Sequence, residues 1–123
     1  MHQPDGFIVN GERCHFRPVG FVTFDEAVAL VRGSIATARS HQAKELLIDT
    51  TALSGFPSPN TVQRFLAAVD WAEESQGGLR MAMVALAEMI DPQKFGVTVA
   101  ANRGLMSNIF TTDAGARAWL EAK

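Results

Sequence analysis

The stretch Leu46-Leu47-Ile48-Asp49-Thr50-Thr51-Ala52-Leu53-Ser54-Gly55-Phe56-Pro57-Ser58-Pro59 decides the fold. Its first three residues are continuously apolar rather than alternating, which is the pattern of a strand covered on both faces. An acid and two hydroxyls close that strand. A loop punctuated by Gly55, Pro57 and Pro59 follows, and then a segment with helical apolar spacing. Strand, short loop and helix in this order make half of a βαβ unit, so the sheet around residues 45–51 is expected to be parallel. Ser58 with Pro59 after it reads as a helix N-cap with proline at the first helical position, a place where the helix dipole favours anions.

Upstream, Phe7-Ile8-Val9 reads as a short strand and Asn10-Gly11 as a hairpin turn. The second strand is expected over residues 13–19. Cys14 and Phe16 would share one face and Arg13, His15 and Arg17 the other, with Pro18 marking an edge or a strand end. Thr23-Phe24-Asp25-Glu26 is a capping box opening a helix that runs to about His41. Phe24, Val28, Val31, Ile35 and Ala38 form its apolar stripe.

Downstream, Val62, Phe65, Leu66, Val69 and Ala72 are read as the buried stripe of the second helix, which Gly77-Gly78 ends. Residues 79–86 form a central strand. Asp91-Pro92 repeats the cap-then-proline signature and opens a third helix, with Phe95 and Val99 inward and a stop at Gly104. Asn108-Ile109-Phe110 is the last strand. Thr112 caps a final helix that packs through Ala116, Trp119 and Leu120. The expected order is ββαβαβαβα: an α/β chain read as a single domain over 1–123, with an antiparallel hairpin leading parallel strands that alternate with four helices.

Composition narrows the function classes. The chain has 123 residues and 47% hydrophobic content, enough for one domain with a real core. A net charge of −2 offers no basic field, so no nucleic-acid partner is expected. Cys14 is the only cysteine, which excludes an internal disulfide and a multi-cysteine zinc site. The longest apolar run, residues 81–87, is too short to span a bilayer, and the N-terminus lacks a signal pattern. No membrane insertion and a cytoplasmic location are therefore expected. His2, His15 and His41 lack metal-ligand spacing, and neither a Gly-x-Ser-x-Gly elbow nor a Gly-rich phosphate loop occurs. No enzyme, metal or cofactor is expected.

Ligands of parallel α/β sheets gather beyond the C-terminal ends of the strands. That edge should collect Asp49, Thr51, Ser54 and Ser58 from one loop, Glu88 and Asp91 from the next, and Thr111, Thr112 and Asp113 from the last. On this reading it holds hydroxyls and acids without lysine or arginine, which disfavours nucleotides. Trp71, offset from the apolar stripe of its helix, is either a core flank or an interface anchor. Arg103 either serves the helix stop or anchors a carboxylate. Met81, Met83, Met89 and Met106, with Phe56, Phe65 and Phe95, fill the core or line an apolar pocket.

Leu46–Thr51, Trp71-Ala72, Arg80–Ala85, Ala101–Leu105 with its Asn102-Arg103-Gly104, and Ile109–Thr112 followed by Ala116–Leu120 resemble the bacterial SpoIIAA-like, or STAS-like, family over nearly the whole chain. The resemblance implies a compact α/β sheet domain that binds partners rather than catalysing. The wider family includes anti-sigma-factor antagonists, switched by phosphorylation of a serine in an Asp-Ser-Ser-Gly turn at a helix start. Ser58 falls at the corresponding distance from Asp49, but Pro57-Ser58-Pro59-Asn60 stands where that motif would be, which argues against the kinase switch.

The function expected from the sequence is a non-enzymatic regulatory or protein-binding domain. It would dock a protein partner through loop 52–58 and the outer side of helix 59–76, using Ser58, Asp49, Thr51, Ser54, Trp71 and Arg103. The alternative is a carrier or sensor of a small apolar, lipid-like ligand. The hairpin edge would offer a route to a homodimer by sheet extension.

Overall fold

Gly11, at φ 63°, opens a two-residue loop that joins β1 (Phe7–Asn10) to β2 (Arg13–Phe16) as an antiparallel hairpin. The computed structural model describes residues 4–122, so His2 lies outside the described residues. β2 pairs in parallel with β4 (Glu45–Asp49), β4 with β6 (Arg80–Val84), and β6 with β7 (Met106–Phe110). The five-stranded sheet has the order β1-β2-β4-β6-β7. Its two continuously apolar strands, β4 and β6, lie inside it with both faces covered, as their lack of alternation requires.

Four helices cover the sheet. α1 (Phe24–Ser40), α2 (Thr61–Ser75) and α3 (Phe95–Asn102) form one layer, with α1 against α2 and α2 against α3. α4 (Asp113–Glu121) lies alone against β4, β6 and β7. Successive β4 side chains enter different cores: Leu46 and Ile48 join Val31, Ile35 and Met81, whereas Leu47 joins Ala82, Ala116 and Leu120. The α/β class, the antiparallel hairpin leading parallel strands and the four helices agree with the sequence reading.

Two features differ at the periphery. β2 ends at Phe16 rather than near residue 19, because Pro18 has no N–H to continue the ladder. A second, two-stranded parallel ribbon, β3 (Gly20–Phe21) with β5 (Leu53–Ser54), was not expected. It forms because Gly55, at φ 110°, lets the chain press on Val22, where a Cβ would sit 2.4 Å from the Val22 carbonyl oxygen.

Two helix starts also move. α2 is capped by Asn60, not Ser58: Asn60 Oδ1 accepts from Gln63 N–H at 2.8 Å and Gln63 Oε1 accepts from Asn60 N–H at 2.9 Å. Asn60 prevails because only it has a carboxamide three residues on to complete the reciprocal box. α3 starts at Phe95, and Asp91 instead accepts from Phe95 N–H at 2.8 Å and Gln93 N–H at 3.4 Å. Thr23 and Thr112 cap α1 and α4 as expected.

The largest correction concerns α2. Its expected apolar stripe divides: Ala72 is buried and Val69 packs against the core, but Val62 is 65% exposed and Leu66 60%, with Phe65 exposed as well. The buried face carries Ala67, Ala68, Ala72 and Ser75. The helix turns its small residues toward α1 and the sheet, and part of its bulk toward water.

Candidate functional site

The small-residue face of α2 leaves a cavity of about 160 Å³ between β6, β7 and the layer of α1, α2 and α3. Phe24, Val28 and Val31 of α1 form one wall, and Ala67, Ala68 and Trp71 of α2 the next. Met81 and Met83 of β6 supply the floor with Ser107 and Ile109 of β7. Val97 and Ala100 of α3 close the far side. Two segments leaving the C-terminal ends of β4 and β6 form the mouth. Thr50, Leu53, Phe56 and Pro59 come from the first, and Ala85, Leu86, Met89 and Asp91 from the second. This is where parallel sheets place their ligands.

Specific bonds hold the walls. Trp71 Nε1–H donates to the Val28 carbonyl at 3.1 Å, which satisfies the indole and fixes α2 against α1. Trp71 is therefore half-buried, flanks the core and forms part of the cavity wall. Phe24 and Phe56 meet edge to face, their centroids 5.8 Å apart, and join the start of α1 to the loop at the mouth. Thr50 N–H and Oγ1–H both donate to the Val84 carbonyl, at 2.8 and 2.9 Å, and bind the two mouth segments at their roots.

Arg64 spans the mouth. Its Nη1–H donates to the Met89 carbonyl at 3.1 Å and its Nη2–H to Ser58 Oγ at 3.0 Å, so one guanidinium holds both segments. The sequence reading of this edge as free of arginine is thereby corrected. The available signal was helical spacing: Arg64, Ala67, Ala68 and Trp71 stand at i, i+3, i+4 and i+7 and share one face. Asp91 also lines the mouth, its carboxyl held below the usual range chiefly by the Phe95 amide, with smaller help from the Gln93 amide and the nearby Arg64 charge.

The other sequence-predicted residues lie elsewhere. Asp49 Oδ1 accepts from Thr51 N–H at 2.9 Å and Thr51 Oγ1–H at 2.6 Å, while Oδ2 is 3.5 Å from Arg17 Nε. Asp49 and Arg17 line a shallow cleft with His15, Asp113 and Arg117, and neither Asp49 nor Thr51 lines the apolar cavity. In that cleft the His15 imidazole is pushed down by burial first, then by the Arg117 and Arg13 charges, against a smaller opposing effect of Asp113. Ser54 is exposed in β5, where its carbonyl accepts from Val22 N–H at 2.7 Å. Ser58 reaches the mouth only as the acceptor for Arg64. Arg103 stacks its guanidinium 5.6 Å from the Phe65 ring centroid on the outer surface.

Of the suggested pocket residues, Met81, Met83, Met89 and Phe56 line the cavity, whereas Met106 and Phe65 are exposed and Phe95 packs beside it. Cys14 is fully buried, and burial pushes its thiol pKa up. Among the described residues no group of three or more His, Cys, Asp or Glu is placed to hold a metal ion. Among the same residues no helix is long and apolar enough to cross a membrane. Comparison of the chain with protein-family models, with curated proteins and with solved structures gives no match in any of the three.

Proposed function

We propose that this protein is a non-enzymatic, STAS-like binding domain that accepts a small apolar ligand in the cavity beneath α2. The observation that carries this reading is the cavity itself, about 160 Å³ walled mainly by apolar side chains. A dry apolar cavity of about 150 Å³ takes up one benzene molecule, so this one suits a group of roughly six carbons. Methionines at the floor and at the mouth add adaptable, polarizable contact. The neighbouring polar groups, Asp91, Thr50 and Trp71, are engaged in local hydrogen bonds, which suits holding a ligand better than transforming it.

Binding would be read by native mass spectrometry after gentle purification and by a thermal-shift screen against small hydrocarbons and fatty acids. Ligand-dependent stabilisation is expected, about 2.7 kcal/mol at a hundredfold excess over Kd. Ala68→Leu, which projects three more carbons into the space, should abolish it. Stabilisation that survives Ala68→Leu, or no stabilisation by any probe, defeats the reading.

A second reading is a regulatory docking surface for a protein partner. Exposed Val62 and Leu66, one turn apart on α2, favour it. A charge at either position, as in Leu66→Glu, should abolish partner capture while leaving uptake of small ligands intact. Equal capture of Ser58→Asp and wild type would remove the phosphorylation switch from this reading.

A further inference from the structure

We infer that the ligand is a small amphipathic monoanion, its apolar group of about six carbons in the cavity and its carboxylate on Arg64 at the mouth. This rests on the proposal that the cavity binds a small apolar group and adds the chemistry of the other end.

Arg64 has the required geometry. Its two hydrogen bonds go to Met89 on one mouth segment and Ser58 on the other, which places the guanidinium across the opening. Both acceptors are neutral, whereas Arg13, Arg17, Arg32, Arg39 and Arg117 each sit within 4.0 Å of a carboxylate oxygen. Among the described residues Arg64 has no such partner. A guanidinium carries five N–H donors in a planar fork, so two hydrogen bonds leave capacity for an anion. The apolar wall beside it excludes water from one side and strengthens the charge interaction.

Lys94, the other cation on the cavity wall, is already engaged. Its Nζ–H donates to Asn108 Oδ1 at 2.8 Å and lies 5.2 Å from the Phe110 ring centroid. Asp91 is the opposing group: it is ionised, feels the Arg64 charge, and competes with an incoming carboxylate. One guanidinium tempered by one carboxylate fits a singly charged ligand better than a phosphate. An alkyl chain and a single aromatic ring of about six carbons both fit this volume.

Isothermal titration near neutral pH tests this with hexanoate and benzoate against hexan-1-ol and benzyl alcohol. At least one acid should bind about tenfold or more tightly than its alcohol, as charge-assisted bonds are the strong ones. Comparing the acids tells chain from ring. Arg64→Met should reduce acid affinity to that of the alcohol, Arg64→Lys should keep part of the preference, and Asp91→Asn should raise acid affinity severalfold. A purely structural Arg64 predicts none of these opposed effects. Lys44→Gln, which removes a charge at the far end of β4, should leave the preference unchanged.

Alcohol binding by Arg64→Met confirms that the variant is folded. Equal affinity for acid and alcohol in the wild type overturns the anion assignment and leaves the apolar cavity standing. No binding of either overturns both. An acid preference that persists in Arg64→Met overturns the role of Arg64.

Discussion

The two faces of the sheet are covered in opposite ways. On one, the single helix α4 closes its core completely: Ala116 and Leu120 are fully buried against Leu47, Ala82 and Val84. Trp119 and Phe110 seal the margin with ring centroids 6.1 Å apart, and Arg80 lies 4.3 Å from the Trp119 centroid. Arg80 also donates to the Trp119 and Leu120 carbonyls, at 3.2 and 3.4 Å, and so satisfies the end of the helix. On the other face three helices, with more chain at their disposal, leave a void. Coverage and filling are therefore separate properties. Side-chain size at the contact decides the second, and α2 brings Ala67, Ala68 and Ala72 to it. At roughly 24 cal/mol per Å³, a space of 160 Å³ forgoes up to about 4 kcal/mol of packing, a large share of a small domain's stability. A ligand that fills the space recovers it.

The sharpest way to break this contrast is to add the same three carbons to each face. Ala116→Leu inserts bulk where Leu47, Ala82 and Val84 already touch, and should destabilise by about 1–3 kcal/mol through forced rotamers and backbone shifts. Ala68→Leu inserts it beside empty space, so it should be neutral or stabilising by up to about 1 kcal/mol. Urea midpoints at constant m-value measure both. Equal losses would mean that the cavity face is as tightly packed as the other.

Much of this architecture was legible in the sequence, for identifiable reasons. The unbroken apolar runs in β4 and β6 specified central strands, and Thr23 with Glu26 and Thr112 marked helix starts through local bonding. The orientation of α2 was not legible from apolar periodicity, because that pattern weighs Val62 and Leu66 above alanine. Close approach to α1 and α3 selects the small residues instead. The same inversion hid the site: Arg64 and Trp71 lie on the alanine face, so the residues that shape the cavity looked peripheral. Asp49, Thr51 and Ser54 stood out as polar groups at a strand end, yet Asp49 and Thr51 bond to each other and Ser54 lies exposed on β5, away from the cavity.

The start of α2 gives a smaller contrast of the same kind, between a cap and a mouth residue. Asn60→Ala removes a reciprocal capping box and should lower stability by about 1 kcal/mol. Ser58→Ala removes only an exposed acceptor for Arg64 and should change it by less than about 0.5 kcal/mol. Because that acceptor helps hold the guanidinium at the mouth, Ser58→Ala should alter acid binding more than folding. Chemical denaturation and titration on the same two variants separate these effects. A larger stability loss at Ser58 than at Asn60 would return the cap to Ser58.

The smallest expected effect is a difference in the pH windows of the two faces. His15, in the cleft on the α4 side, has its folded pKa below the ordinary value of 6.5, chiefly through burial. As pH falls below that value, the unfolded chain binds a proton at His15 before the folded one does. Stability is then lost on acidification until the folded pKa is passed. Asp91, at the cavity mouth, has its folded pKa below 3.8 because the Phe95 amide stabilises the carboxylate. The sign is the same and the window lower: its stabilisation is complete above the unfolded value and disappears as pH drops through the folded one. Between about pH 7.5 and about pH 5.5, His15→Gln should therefore flatten the decline in the unfolding midpoint, and Asp91→Asn should leave it unaltered. Below about pH 4 the roles exchange, and Asp91→Asn becomes the flatter variant. If His15→Gln declines as steeply as wild type in the upper window, the Asp113 charge offsets burial and the Arg117 and Arg13 charges together, and the cleft is open to water rather than part of the closed face.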